Sequence, residues 1–163
     1  MRREKLDQID RRILDDLQSD GRMTNVELAS RAGISAPPCL RRVRALEESG
    51  YIRGYHADID PALMGYGVTV FAFVGLTSQA ESDLVKFEDC VAGWPLVREC
   101  FMLQGETDFL LKVVAEDLAS YNKFLTNELT AAPNVAHVRS AITIRHSKQA
   151  FGVPIDTSPD PQE

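Results

Sequence analysis

Through the first fifty residues, apolar side chains recur every three or four positions, the spacing of one helix face. Leu6, Ile9, Ile13, Leu14 and Leu17 form the first stripe, with Asp7 placed as its N-cap and Ser19-Asp20-Gly21 as its stop. The next stretch, TNVELASRAGISAPPCLRRVRALEESG (24–50), reads as two helices joined by a tight turn. Thr24 and Glu27 have the T-x-x-E spacing of a capping box, and Val26, Leu28 and Ala29 supply apolar contacts. Gly33 takes the reversal, where a left-handed backbone is needed. Ser35 is placed as the cap of the second helix, and Pro37 falls in its first turn, where a missing N–H costs little. Ala36, Cys39, Leu40, Val43 and Leu46 line one side of that helix. Pro37, Pro38, Arg41, Arg44 and Ala45 line the other, Arg42 lies on the flank, and Gly50 closes the end. Three helices with one stripe each can bury one another as a small core.

Beyond Gly50 the period changes. Residues 51–58 (YIRGYHAD) are short, β-prone and interrupted by Gly54, which predicts a wing beside the second helix of the pair, with Arg53 or His56 toward a DNA backbone. Asp60-Pro61 and Gly65-Tyr66-Gly67 punctuate a connector. Strands follow at 68–76, 97–104, 108–115 and 135–145, with helices at 81–92 and 117–131. Leu84, Phe87 and Val91 are inward on the first of these helices, and Leu118, Tyr121, Leu125 and Leu129 on the second. The predicted class is α+β: an N-terminal winged helix–turn–helix, then a ferredoxin-like β-α-β-β-α-β sandwich with both helices on one face of an antiparallel sheet. The expected layout is a winged helix–turn–helix domain at 1–60, a linker at 61–67, a ferredoxin-like domain at 68–150, and a proline-bearing flexible tail at 151–163. The 68–76 strand is apolar on both faces, with Phe71 and Phe73 on the side away from the helices. That side needs a cover, either the sheet of a second subunit or the chain's own N-terminal domain or tail.

Charge sharpens the picture. The net charge is −6, yet residues 1–60 hold eleven basic and eleven acidic side chains, whereas residues 61–163 hold seven and thirteen. Residues 31–53 carry five arginines against Glu47 and Glu48. One basic surface on an acidic protein fits a DNA binder that presents a single face. Small residues at the leading end of the 36–48 helix permit close approach to a major groove, and its arginine forks match phosphate or the O6/N7 edge of guanine. Asn25, Ser35, Pro37, Pro38, Arg41, Arg42 and Arg44 are the candidate DNA-binding residues. An ordinary amphipathic helix with a solvated charged face has the same pattern.

Other chemistry is sparse. The three cysteines have neither zinc nor disulfide-framework spacing, and are expected as reduced, buried thiols. His56, His137 and His146 lie in no metal spacing, and His137 and His146 are expected on opposite faces of the last strand. No nucleophile elbow, phosphate-binding glycine loop or zincin motif is present, so no cofactor, metal or catalytic activity is expected. No apolar run approaches the roughly 20 residues of a membrane span, and the opening MRREKLDQID lacks a signal peptide's apolar segment, so a cytoplasmic, nucleoid-associated protein is expected. The remaining feature is Gly105-Glu106-Thr107-Asp108, between the second and third strands. Backbone N–H groups in such a turn can hold a carboxylate and a nearby side-chain carboxylate an ammonium, a pairing that suits an amino acid; a plain hairpin turn has the same sequence.

Taken whole, the chain resembles the Lrp/AsnC, or feast/famine, transcription regulators, most closely their leucine-responsive branch. LDQIDRRILDDLQSDGRMTNVELASRAGIS and PPCLRRVRALEESGYIRGY look like that family's DNA-binding domain, VRECFMLQGETDFLLKV like its effector module, and AAPNVAHVRSAITI like that module's last helix–strand passage. The resemblance implies double-stranded DNA as partner, homodimers assembling to octamers, and an amino acid or related small acid bound between dimers. Carried over position by position, the effector residues are Met102, Gln104, Gly105, Glu106, Thr107 and Asp108, with Leu118, Ala141, Ile142 and Thr143. Two positions depart from the branch: Ala141 stands where an aromatic is common, and the turn reads Gly-Glu-Thr-Asp instead of G-D-x-D. A small residue at 141 leaves room for an effector larger than leucine. An effector-independent architectural DNA-binding protein is the alternative, and a siroheme-decarboxylase-like enzyme subunit a more distant one.

Overall fold

The structure, a computed structural model, describes residues 6–158; the first five residues of the expected DNA-binding domain and the last five of the expected tail lie outside the described residues. The chain divides into two units, one of residues 1–58 with 148–163 and one of residues 59–147.

The first unit is helical. Helix α1 (Gln8–Ser19) starts at Asp7, whose carboxylate accepts the Asp10 N–H at 2.8 Å while Asp10 accepts the Asp7 N–H at 3.3 Å. Helix α2 (Asn25–Ala32) opens with the Thr24–Glu27 capping box and stops at Gly33, whose φ of 71° is the left-handed conformation the turn requires. Helix α3 (Ala36–Glu48) differs in one respect from the expected start. Ser35 occupies the N-cap position, but its side chain makes no capping bond, and the first turn is stiffened instead by Pro37 and Pro38. At the far end Gly50 turns left-handed, at φ 79°, and the Ile52 N–H reaches back to the Leu46 carbonyl at 3.1 Å. Ile13, Leu28, Ala29, Cys39 and Leu46 form the buried centre. Two residues expected there lie outside it. Val26 is 70% exposed because it sits two residues, about 200° of helix rotation, from Leu28. Leu40 flanks the stripe beside Cys39 and is exposed.

Residues 51–58, expected as a wing, form no strand among the described residues. A strand needs a hydrogen-bonding partner, and none of the described residues offers one. The segment is held by Tyr55, whose hydroxyl donates to Glu47 at 3.0 Å and whose ring lies close over Gly21. Burial and the Glu47 carboxylate push the Tyr55 phenol up to about 12. The chain after residue 147 also departs from expectation. Residues 148–158 lie against α1: Gln18 Nε2 donates to the Val153 carbonyl at 2.9 Å, and the Val153 N–H returns to Gln18 Oε1 at 2.8 Å. Arg11 and Gln8 donate to the carbonyls of Asp156 and Thr157, both at 3.4 Å. The polar face of α1 supplies the partners that the tail's own sequence cannot.

The second unit is a four-stranded antiparallel sheet in the order β2-β3-β1-β4, where β1 is Val68–Leu76, β2 Val97–Met102, β3 Phe109–Ala115 and β4 Val135–Ile142. Helix α4 (Glu81–Ala92) and helix α5 (Leu118–Phe124) contribute to its core. Val70, Ala72 and Val74 meet Phe109, Leu111 and Val113 there, with Phe87, Tyr121, Phe124 and Leu129 packed against them. The expected single helix over 117–131 is instead α5 followed by a π turn, Leu125–Leu129, in which the Thr130 N–H and hydroxyl both bond the Leu125 carbonyl. β2 and β4 end at Met102 and Ile142, short of the expected 104 and 145, so His146 falls outside the strand that carries His137. Leu118, expected inward, opens α5 and is 47% exposed. The opposite sheet face carries half-buried Phe71, Phe73 and Leu110 and exposed Phe101, with the Arg139 guanidinium 4.7 Å from the Phe73 ring centre.

Candidate DNA-binding and effector sites

The helical unit sorts its arginines. Arg41 and Arg44 are exposed and make no ion pair or hydrogen bond among the described residues. Arg42 is two-thirds covered, and one of its guanidinium nitrogens donates to both Asp7 and Asp10 of α1, each at 2.7 Å. The hydrogen bonds it donates to Asp10 and Asp7 raise Arg42 above the ordinary arginine value. Desolvation acts to raise Asp7, but the Asp10 N–H and Arg42 outweigh it and hold that carboxyl below its usual value. Arg31 of α2 pairs with Asp16 of α1 at 3.2 Å. Two of the five arginines in 31–53 are thus engaged by α1, leaving Arg41, Arg44 and Arg53 as the outward charge. Asn25 is also occupied, donating from its side-chain amide to the Ala36 carbonyl at 2.9 Å and so tying the start of α2 to the start of α3. Ser35 and Pro37 are exposed and Pro38 half-buried at that leading end.

In the sheet unit, residues 103–108 form the β2–β3 turn. The Leu103 N–H donates to the Asp108 carbonyl at 2.7 Å, and the Asp108 N–H to the Val74 carbonyl at 2.9 Å. The Asp108 side chain faces inward on this scaffold. One oxygen accepts the Leu76 N–H at 2.7 Å and the other accepts from Gln79 Nε2 at 2.8 Å. Asp108 therefore clasps the end of β1 and the segment leading to α4. The N–H groups of Gly105, Glu106 and Thr107 find no partner among the described residues. A side chain on Gly105 would touch nothing within 4 Å and its φ is unremarkable, so none of the described residues requires glycine there.

The effector candidates fall into two groups. Met102, Gln104, Gly105, Glu106, Thr107 and Asp108 lie at the Leu76 end of β1. Ala141 and Ile142 pair with Phe71 and Val70, and the Thr143 N–H donates to the Thr69 carbonyl, at the other end. Leu118 belongs with them, because β3 reaches Ala115 opposite Val68. The run of β1 from Val70 to Leu76 separates the groups, about 20 Å at roughly 3.3 Å per residue. One chain does not bring the ten residues together. Thr143 Oγ1 is buried without a hydrogen-bond partner among the described residues.

Sequence reasoning placed Asp7 only as a cap and missed its pairing with Arg42, and it missed Asp10, Leu76 and Gln79. Asp7 and Asp10 carried a signal, since their i, i+3 spacing at a helix start is that of a capping box; Gln79 carried none.

Residues 69–153 match the Lrp/AsnC ligand binding domain, and residues 6–53 match a winged helix–turn–helix DNA-binding domain. The chain belongs to the Lrp/AsnC family. It is 56% identical over 153 residues to the leucine-responsive regulatory protein of Rhizobium meliloti, covering 94% of this chain and 98% of that one. It is 43% identical over 141 residues to the Bkd operon transcriptional regulator of Pseudomonas aeruginosa, covering 86% and 92%. Among solved structures, a transcriptional regulator from Neisseria meningitidis in complex with L-Met superposes with a TM-score of 0.88 at 35% identity, over 92% of this chain and 97% of that one. An AsnC family regulator from Agrobacterium tumefaciens gives 0.86 at 34% identity, over 91% and 97%. This Lrp/AsnC protein is a transcriptional regulator with a helix–turn–helix DNA-binding unit and a ligand-binding unit. Among its described residues no helix is long and apolar enough to cross a membrane.

Proposed function

We propose that this regulator binds operator DNA through α3 and is switched by an amino acid held at the β2–β3 turn, in a site that a second copy of the chain completes. The observation that carries the reading is the separation of the two groups of effector residues along β1. A ligand that touches both must lie where the turn of one subunit meets the 118 and 141–143 region of another. Unpaired N–H groups at Gly105–Thr107 offer donors to a carboxylate, and Glu106, exposed beside them, an acceptor for an ammonium. The relative solved with L-Met supports an amino acid, and the small side chain at Ala141 favours one at least as long as methionine. Subunits associate through the Phe71, Phe73, Leu110 and Phe101 face into homodimers, and dimers into octamers. The effector stabilises one arrangement of dimers, and that arrangement sets which half-sites the paired helices reach. The protein acts in the cytoplasm, on the nucleoid.

Arg41 and Arg44 supply the phosphate and base contacts, with Ser35, Pro37 and Pro38 at the approaching end. A thermal-shift screen of the common amino acids tests the effector. A ligand at about a hundred times its dissociation constant adds roughly 2.7 kcal/mol to the form that binds it. A stabilising amino acid whose effect disappears in Gly105→Trp supports the site, whereas a shift that survives Gly105→Trp places the ligand elsewhere.

A further inference from the structure

Arg42 lies beside two exposed arginines on the helix read above as the DNA-recognition element, and on that reading a basic side chain there is expected to meet phosphate. The structure gives it other work. We propose that Arg42 is a positioning residue: held by Asp7 and Asp10 of α1, it fixes the angle at which α3 presents Arg41 and Arg44, and does not itself contact DNA. This rests on the assignment of α3 as the DNA-contacting helix.

Three observations converge. Both carboxylates meet the same guanidinium nitrogen at 2.7 Å, the short end of the charge-assisted range. Asp7 and Asp10 are already fixed by their reciprocal capping bonds at the start of α1, so Arg42 docks on a rigid acceptor pair. Arg42 is half-buried beside buried Cys39 and half-buried Val43, whereas Arg41 and Arg44 are exposed and unpaired among the described residues. A guanidinium that reached for phosphate would have to leave two carboxylates unpaired, one of them only 19% exposed. Consecutive arginines about 100° apart on a helix can therefore divide the labour, one toward DNA and one toward the fold.

The two roles give opposite signs when the carboxylates are neutralised. Operator binding of the full chain is measured by fluorescence anisotropy across a salt series for wild type, Arg42→Gln, Asp7→Asn/Asp10→Asn, and all three changes together. Asn keeps the capping ability at position 7, and melting by circular dichroism establishes that each variant is folded at the assay temperature. A positioning role predicts that Asp7→Asn/Asp10→Asn weakens binding although it removes two negative charges. Arg42→Gln then weakens binding by about 5- to 150-fold, the span of a lost base contact, and costs little more once the carboxylates are gone. The slope of log K against log salt stays within about half a unit of wild type in all of them, because Arg42 itself neutralises no phosphate and a tilted α3 loses base-edge geometry before it loses its phosphate contacts. Asp10→Asn alone, which leaves Asp7 intact, gives the same sign if the double variant is unfolded. A direct contact predicts the reverse: tighter binding in the Asp variants, and a slope reduced by about 0.9 in Arg42→Gln. Either of those results overturns the proposal. A wild-type protein that does not bind DNA overturns the α3 assignment as well, which separates that failure from this one.

Discussion

Replacing Asp108 by Ala removes two hydrogen bonds from the sheet unit before any effector is considered. Its carboxylate accepts the Leu76 N–H at 2.7 Å and the Gln79 side chain at 2.8 Å. Hydrogen bonds to a charged group contribute about 1.5–3 kcal/mol each, and a half-buried backbone N–H left unpaired adds a cost of its own. Asp108 and Leu76 are half-buried and the Gln79 bond is exposed, so solvent compensates part of that loss and the expected destabilisation is about 2–3 kcal/mol. In a unit of this size each kcal/mol moves the midpoint by about 4–8 °C, so the unit melts roughly 8–24 °C lower. Asp108→Asn retains an oxygen for the Leu76 N–H and should lose less than half as much. Calorimetry of the two variants beside wild type reads this directly. A wild-type midpoint for Asp108→Ala would refute the clasp and return the carboxylate to duty as a free ligand group.

Gly33→Ala isolates backbone conformation, because an added Cβ would meet nothing within 4 Å while φ stays at 71°; chemical denaturation should show a loss of about 1–2 kcal/mol with an unchanged m-value. On the proposed subunit association, Phe71→Asp places a charge on the apolar sheet face and should lower the mass in analytical ultracentrifugation to that of the monomer without unfolding the sheet unit; an unchanged mass would mean that this face is not the subunit interface. Asp7, Asp83 and Asp117 are all held below the usual aspartate value, so each adds stability above its unfolded pKa that is lost as pH falls through the lower folded one. Urea unfolding should therefore show a plateau above about pH 5 and a decline below about pH 4. Rising stability through that range would contradict those assignments.

What the sequence disclosed and what it withheld divide along physical lines. Caps and turns are local signals, so Asp7, the Thr24–Glu27 box, Gly33 and Gly50 could each be placed from a few neighbouring residues. Strand and helix periods placed β1 and α4 because one face of each is continuously buried. Residues 51–58 are β-prone yet form no strand among the described residues, because β-propensity was counted without a pairing partner. The tail was expected to be mobile from its prolines, while the groups that hold it, Gln8, Arg11 and Gln18, are far away in sequence and look like an ordinary solvated helix face. The Arg42 and Asp108 pairings are likewise long-range, and residue type alone does not separate an arginine that pairs from one that reaches outward. The split of the effector residues was within reach. In an antiparallel β-α-β-β-α-β sheet, the turn after the second strand and the end of the fourth necessarily lie at opposite ends of the first.

The most direct test of the account is binding of the full-length protein to its own upstream DNA, titrated with and without each common amino acid at fixed salt. The account predicts that at least one amino acid changes the apparent affinity by about 5- to 150-fold, the usual range of a coupling free energy, and that the change is lost in Gly105→Trp. Affinity for upstream DNA that is indifferent to every amino acid, and equal to affinity for random DNA, would contradict it and leave an architectural DNA-binding protein in its place.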